Sequence, residues 1–245
     1  MSHLTLVRHG QASFGADNYD QLSDLGQNQA TMLGQYWAAR NKTFDRVYVG
    51  PLHRHQQSWQ ATRLAYEQTS QTLPPSIDLA DLDEHQGMEV FEHQLPQLAQ
   101  RSDKLGQLSQ MVLAPKDLTL AEHRTMRLRA YVHFTNFWAR DEIDSGPYES
   151  WPNFCDRIRR GITTIIEQSS QNQDIVAFTS GGVIAATVGF ALDIDEAKTI
   201  DLNGAVRNGS YSVFRFSKRS QTLRFSLSEF NATPHLDDDA WLTYI

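Results

Sequence analysis

The chain has 245 residues, of which 40% are hydrophobic and 21% are charged. This composition provides enough apolar side chains for a sizeable core and excludes disordered and collagen-like proteins. The formal net charge of −7 at pH 7 argues against proteins that bind nucleic acid or anionic membranes, since both need a broad positive field. The length predicts a single domain, residues 1–245, with an inserted cap, because single cores stop growing at roughly 250–300 residues.

Cysteine usage and the N-terminus indicate the compartment. The single cysteine, Cys155, cannot form an internal disulfide, and residues 1–4 lack the layout of a signal peptide. We therefore expect a cytoplasmic protein. No apolar run approaches the roughly 18 residues that a membrane span needs. His53 and His55 would point away from each other on a helix, so we interpret them as solvated or hydrogen-bonded histidines and expect no metal site.

The first part of the chain alternates between strand and helix patterns. Residues 4–7 form an apolar, β-branched run, which predicts a buried strand that ends at 8–10. Ser23 is typical of a helix N-cap and predicts a helix after it. Residues 47–49 predict a second strand, and 53–68 predict a second helix.

A long helical pattern occupies the middle of the chain. From about residue 89 to 140, apolar residues recur among charged ones without a strand pattern. We predict that this part is an inserted helical cap over about 89–146, closed by a Ser-Gly-Pro turn. Helical spacing resumes from Phe154 to Ile166.

The strand pattern returns in the last third. Residues 175–178 are the most strand-like run, and 183–192 follow as a helix. The runs 212–216 and 223–227 alternate and predict a late antiparallel pair. The order of elements predicts an α/β fold, a three-layer sandwich with a mainly parallel central sheet flanked by helices.

Three groups of polar and glycine residues follow predicted strands directly, at 8–10, 50–54 and 179–182. In open α/β sheets, ligands bind outside the carboxyl ends of the strands, so these groups should converge. Guanidinium groups match phosphate oxygens and stay charged, a neutral imidazole can attack phosphorus, and glycines let backbone N–H groups approach an anion. The convergence predicts a site for a small phosphorylated substrate.

Motifs around these groups run in a fixed order along most of the chain. They are Leu-Val-Arg-His-Gly-Gln at 6–11, Leu-Ser-Asp-Leu-Gly-Gln at 22–27, Val-Gly-Pro-Leu-His-Arg-His at 49–55, Leu-Asp-Glu-His-Gln-Gly at 82–87, Tyr-Glu-Ser-Trp at 148–151 and the segment 174–183. In this order they resemble the histidine phosphatase superfamily, the phosphoglycerate-mutase-like proteins. The cap is not matched by any motif.

The resemblance implies a role for each matching residue. His9 would be the nucleophile that becomes phosphohistidine, and Glu84 would be the general acid for the leaving oxygen. Arg8 and Arg54 would clamp the phosphate. The further phosphate-binding residues would be Ser180, Gly181 and Gln11. This chemistry needs a neutral His9 and a Glu84 carboxyl that still holds its proton. The resemblance implies neither a cofactor nor a metal ion.

The sequence departs from the family pattern at two positions. The last block normally reads Ser-His-Gly-Gly, with the histidine contacting phosphate, and Ser180 takes its place here. A serine hydroxyl donates only a neutral hydrogen bond, so we expect weaker catalysis and a gain from Ser180→His, unless another histidine such as His235 fills that place. The asparagine that the family has after Arg-His-Gly is also unclear, since counting leads to Gly15, with Ser13 and Asn18 nearby.

The leading hypothesis is a metal-independent phosphomonoester hydrolase that acts through phosphohistidine. The alternative is a catalytically weakened or inactive protein that binds phosphate esters in a regulatory or scaffold role. Mutase activity is less expected, because residues 89–140 lack the family's mutase segments. The apolar C-terminus at 241–245 would pack on its own core, with a homodimer contact as the alternative.

Overall fold

The computed structural model describes residues 1–13, 20–115, 118–219 and 222–244. Within these ranges the chain forms one six-stranded sheet. The strands are β1 (Ser2–Arg8), β2 (Arg46–Val49), β3 (Ser76–Asp78), β4 (Asp174–Thr179), β5 (Tyr211–Arg219) and β6 (Thr222–Ala232). Their order is β3-β2-β4-β1-β5-β6. The first four are mutually parallel, whereas β5 pairs antiparallel with β1, and β6 pairs antiparallel with β5.

The helices of the described residues are α1 (Asp24–Ala38), α2 (His53–Glu67), α3 (Gly87–Leu98), α4 (Lys104–Leu113), α5 (Leu120–Trp138), α6 (Trp151–Gln168), α7 (Gly181–Leu192) and α8 (Glu196–Asn203). The predicted N-cap is confirmed, because the Ser23 hydroxyl accepts a 3.1 Å hydrogen bond from the Gly26 N–H. The late antiparallel pair is also confirmed. The sequence reading missed β3 and α8.

The sheet is covered on both faces, and β4 shows how. Ile175 and Ala177 join the core on one face, with side chains of α3 to α8. Val176 and Phe178 join the core on the other face, with side chains of α1 and α2. This alternation follows from the two-residue period of a strand. The predicted α/β fold with a mainly parallel, helix-covered sheet is confirmed.

The middle of the chain is helical, as its pattern predicted. Helices α3, α4 and α5 cover most of residues 87–138. Their largest buried side chains, Phe91, Phe134 and Trp138, belong to the same core as β1 and β4. That these helices act as an inserted cap over 89–146 stays a prediction. Among the described helices, none is long and apolar enough to cross a membrane.

The loop after β1 packs unusually close to α1. A Cβ on Gly10 would lie 2.2 Å from the carbonyl oxygen of Gly26, and a Cβ on Gly26 would lie 2.1 Å from the carbonyl oxygen of Gln11. Any side chain at either glycine would therefore push the loop away from the helix. Two glycines thus hold the residues after β1 in place.

His235 is buried near the C-terminus among aromatic rings. Its ring centroid lies 6.1 Å from that of Tyr36 and 6.4 Å from that of Tyr211. Burial lowers the pKa of His235 to about 4, and the Gly209 backbone raises it in part. The folded protein therefore holds this imidazole neutral at pH 7, whereas the unfolded chain takes up a proton below about pH 6.5.

We predict that His235 contributes to acid unfolding. Because its pKa is lower in the folded state, stability is complete above about pH 7 and falls as the pH drops from about 6.5 toward 4. Between pH 7 and pH 5 the loss is about 2 kcal/mol. His235→Phe, which keeps a ring between the tyrosines, should shrink the drop in free energy of unfolding by that amount, as measured with urea at both pH values.

The control is His133→Asn, since His133 is exposed on α5. This variant should lose as much stability on acidification as the wild type. Equal acid sensitivity in His235→Phe and the wild type would contradict the prediction.

Candidate active site

The carboxyl ends of β1, β4 and β2 meet at one edge of the sheet. The His9 N–H donates to the Thr179 carbonyl at 2.9 Å, and the Gly50 N–H donates to the Phe178 carbonyl at 3.0 Å. The three groups of residues singled out in the sequence are therefore brought together, as expected for an open α/β sheet.

His9 lies directly after β1 and is buried. Its Nδ1 is 2.7 Å from the Gly10 carbonyl oxygen, which can only accept, so Nδ1 carries the hydrogen. Its Nε2 accepts a 3.2 Å hydrogen bond from Arg54 Nε. Burial lowers the pKa of His9 well below its ordinary value, and the charges of Arg54 and Arg8 lower it further. His9 is therefore a neutral imidazole whose Nε2 carries the lone pair.

Arg54 is held in the first turn of α2 by Asp20. The Asp20 carboxylate accepts from Arg54 Nη1 at 2.9 Å. It also accepts from the backbone N–H groups of His53 at 2.8 Å and Arg54 at 3.3 Å. One carboxylate thus caps the helix and orients the guanidinium. Sequence reasoning missed Asp20, because it lies 34 residues from its partner in no local motif.

Arg8 lies on the other side of the site, next to the start of α7. Its Nη1 donates to the Val206 carbonyl. A Cβ on Gly181 would lie 3.4 Å from Arg8 Nε. The first residue of α7 is therefore a close neighbour of the guanidinium, and the helix N-terminus adds a partial positive charge there.

Glu84 is the carboxylate of the site. Its Oε1 accepts from the His85 N–H at 3.0 Å, and its Oε2 accepts from the Gly182 N–H at 3.2 Å. Burial raises the pKa of Glu84, but His85, the two backbone N–H groups and Arg54 outweigh burial and lower it. This direction favours the ionised carboxylate, so the protonated form that the general-acid role needs stays a prediction. A phosphate dianion beside it would raise the pKa again, since like charges disfavour ionisation.

His85, which sequence reasoning left without a role, orients Glu84. Its Nδ1 accepts from the Gly87 N–H at 3.1 Å. Its Nε2 lies 3.7 Å from Glu84 Oε1 and 2.9 Å from Nδ2 of Asn203. The ring is enclosed by aromatic side chains, namely Trp138, Trp151 and Phe154. Its position beside Glu84 in the 82–87 motif was the only available signal.

Arg157 of α6 holds the backbone that leads to Glu84. Arg157 forms a two-point ion pair with Glu149, at 2.9 and 2.7 Å. Its Nη1 also donates to the carbonyls of Asp81 at 2.9 Å and Asp83 at 3.1 Å. Of these residues, Glu149 belongs to the motif at 148–151 that resembles the family.

Ser180 is the N-cap residue of α7 and is fully buried. Its Oγ lies 2.6 Å from Nε2 of His55, which is also fully buried. The histidine that contacts Ser180 is therefore His55 from α2. The suggestion that His235 fills this place is wrong, because the His235 ring packs against Tyr36 and Tyr211.

Gln11 contacts the start of α1. Its amide oxygen accepts from the Ser23 hydroxyl at 2.9 Å, and its N–H donates to the Gln29 side chain at 2.8 Å. A direct phosphate contact by Gln11 stays a prediction. Gly15 and Asn18, near which the family asparagine would fall, lie outside the described residues. The described residues contain no cluster of three metal-ligating side chains.

A family model matches most of the chain. The model described as "Histidine phosphatase superfamily (branch 1)" matches residues 4–108 and 114–227. The chain belongs to the histidine phosphatase superfamily. No curated protein matched it.

Several solved structures, from different organisms, are similar to this chain in fold. Mycobacterial glucosyl-3-phosphoglycerate phosphatase is 18% identical with a TM-score of 0.62, covering 94% of this chain and 99% of that one. A phosphoserine phosphatase variant from Entamoeba histolytica, in complex with phosphoserine, is 17% identical with a TM-score of 0.60, covering 96% and 100%. Phosphoglycerate mutase from Bacillus anthracis is 14% identical with a TM-score of 0.59, covering 96% and 95%. These similarities establish the fold.

We predict that the site around Arg8, His9 and Arg54 binds inorganic phosphate or vanadate in the presence of EDTA, because it combines two guanidinium groups with the N-terminus of α7. Arg54→Ala should weaken binding at least about tenfold, since a hydrogen bond to a charged group contributes about 1.5–3 kcal/mol. Isothermal titration calorimetry measures the dissociation constants. The matched control is Arg63→Ala, which removes an exposed arginine of the same helix that pairs with Glu67. Equal weakening in both variants would refute a specific anion contact.

Proposed function

We propose that this protein hydrolyses small phosphomonoesters without a metal ion, through a phosphohistidine formed on His9. The observation that carries the proposal is the hydrogen bonding of His9, whose Nδ1 faces the Gly10 carbonyl while Nε2 faces Arg54. This arrangement provides a neutral imidazole with its lone pair toward a guanidinium that matches a phosphoryl group. Membership of the superfamily and the phosphatases among the structural neighbours support it.

In the first step, the Nε2 lone pair of His9 forms a bond to phosphorus while the P–O ester bond breaks. The electron pair of that bond goes to the leaving oxygen, which takes the proton of the Glu84 carboxyl. Arg8 and Arg54 neutralise the phosphoryl oxygens, where negative charge is spread in the transition state. The products of this step are the free alcohol and phosphohistidine.

In the second step, a water molecule attacks the phosphorus of phosphohistidine. The N–P bond breaks, its electron pair returns to His9 Nε2, and Glu84 takes the proton that the water loses. Inorganic phosphate then leaves, and both residues are restored. The sum is ester plus water giving alcohol plus phosphate.

We expect His9→Ala to lower turnover of 4-nitrophenyl phosphate at least about 1000-fold, because it removes the nucleophile. Acid-labile, base-stable phosphate should be trapped on the quenched wild type and be absent from the variant. His3→Gln is the control, since His3 lies at the opposite end of β1 and pairs with Asp174. Wild-type turnover in His9→Ala would show that the phosphohistidine mechanism is wrong. Phosphate binding without any turnover in the wild type would favour the phosphate-ester-binding alternative.

Glu84→Gln tests the general acid. The variant keeps the size of the side chain but holds no proton to give, so kcat for an alkyl phosphate should fall about 100-fold or more. An aryl phosphate with an acidic leaving group needs less help and should be affected much less. Steady-state kinetics on both substrates measure the contrast. Glu92→Gln, an exposed change on α3, should leave both rates unchanged, and equal losses on the two substrates in Glu84→Gln would exclude the acid role.

A further inference from the structure

Ser180, which stands where the resemblance implies a histidine, is in contact with the buried imidazole of His55. We propose that His55 acts through the Ser180 hydroxyl as a positioning residue, and that it makes this hydroxyl a charge-assisted donor to the transferring phosphoryl group. The proposal rests on the proposed phosphatase function. It replaces the expectation that Ser180 leaves the site one charged donor short.

The first support is the contact itself. His55 Nε2 lies 2.6 Å from Ser180 Oγ, and both residues are fully buried. The His55 ring centroid is 5.8 Å from that of the nucleophile, His9. The Ser180 hydroxyl therefore contacts an imidazole whose ring is a neighbour of the His9 ring.

The second support is that the surroundings leave space for this ring. A Cβ on Gly50 would lie 2.4 Å from His55 Nδ1. A larger residue at position 50 would thus displace the imidazole, and a larger residue at 180 would meet it from the other side. Gly50 and Ser180 are small where His55 is large, so the ring is held between the ends of β2 and β4.

The direction of the hydrogen bonds explains how the pair works. Nε2 is the ring nitrogen that contacts the hydroxyl, at 2.6 Å. In a neutral ring with its hydrogen on Nδ1, Nε2 accepts the Ser180 proton. When the ring gains a proton from solvent, Nε2–H donates to Oγ, and the hydroxyl proton is released to donate to a phosphoryl oxygen.

The charge of the His55 ring decides when the Ser180 hydroxyl donates to a phosphoryl oxygen. Burial and the charge of Arg54 lower the pKa of His55 well below its ordinary value, and the groups facing the ring include Arg54 from its own helix and His9 from the end of β1. A phosphate dianion in the site opposes these effects, because an opposite charge stabilises the protonated ring. Ser180 thus becomes a strong donor only when phosphate is bound.

The decisive experiment exchanges the two residues. His55→Ala should lower kcat for 4-nitrophenyl phosphate about 10²–10³-fold, the usual effect of losing one preorganised donor. Ser180→His alone should also lower kcat, since its ring would overlap His55. The double variant His55→Ala, Ser180→His places the imidazole at 180 and should return to within about tenfold of the wild type. A double variant no better than either single variant would overturn the proposal.

A second double variant separates charge from packing. His55→Ala with Ser180→Gln fills the same space with a side chain that holds no positive charge. Rescue by glutamine equal to that by histidine would show that His55 only fills space, and would overturn the proposal. Thermal unfolding midpoints of all variants identify any loss caused by unfolding, and kcat is then compared per folded protein.

Vanadate binding keeps this test independent of the proposed function. If the wild type turns over no ester, the dissociation constant of vanadate is measured for the same variants. A loss of at least about tenfold in His55→Ala, restored in the histidine double variant, would support the proposal even though the phosphatase function fails. An unchanged dissociation constant for vanadate in His55→Ala would overturn the proposal.

The outcome is different when the wild type is active. Trapped phosphohistidine together with an unchanged kcat in His55→Ala would support the phosphatase function and reject the role of His55.

Discussion

The constraint on which the site depends is the crowding of positive charge at one edge of the sheet. Burial and the charges of Arg54 and Arg8 lower the pKa of His9, and burial and the charge of Arg54 lower the pKa of His55, so both imidazoles are neutral until an anion binds. A neutral imidazole is the form that attacks phosphorus. The arrangement that is unfavourable for a charged histidine therefore keeps His9 in the form that the proposed attack needs.

Much of this arrangement was predictable from the sequence, because strong signals lie at the strand ends. The buried runs of β1, β2 and β4 are short and apolar, and each stops at the residues that form the site. By contrast, β3 has three residues, two of them exposed, and α8 buries only Thr199 and Ile200, so neither shows a clear period. Elements that lack a buried face leave little trace in a single sequence.

The residues that sequence reasoning missed act across large separations in the chain. Asp20 and Arg54 are 34 residues apart, His85 and Asn203 are 118 apart, and His55 and Ser180 are 125 apart. Only the fold brings these partners together, and each member alone has an ordinary interpretation. His55 was interpreted as an unremarkable hydrogen-bonded histidine, which is chemically correct. What the sequence does not contain is the identity of its partner.

The contacts between Arg157 of α6 and the backbone before Glu84 have a consequence for how this protein can diversify. Arg157 holds the carbonyls of Asp81 and Asp83, so the location of the carboxylate that follows is set by a helix of the sheet domain. Helices α3 to α5 come later in the chain and supply neither of these contacts. The exposed surface of these helices can therefore accumulate substitutions without moving the Asp81–Asp83 backbone that Arg157 holds. Variation on that surface and the placement of Glu84 are thereby separable under selection, as long as Gly87 and Trp138 keep their contacts with His85.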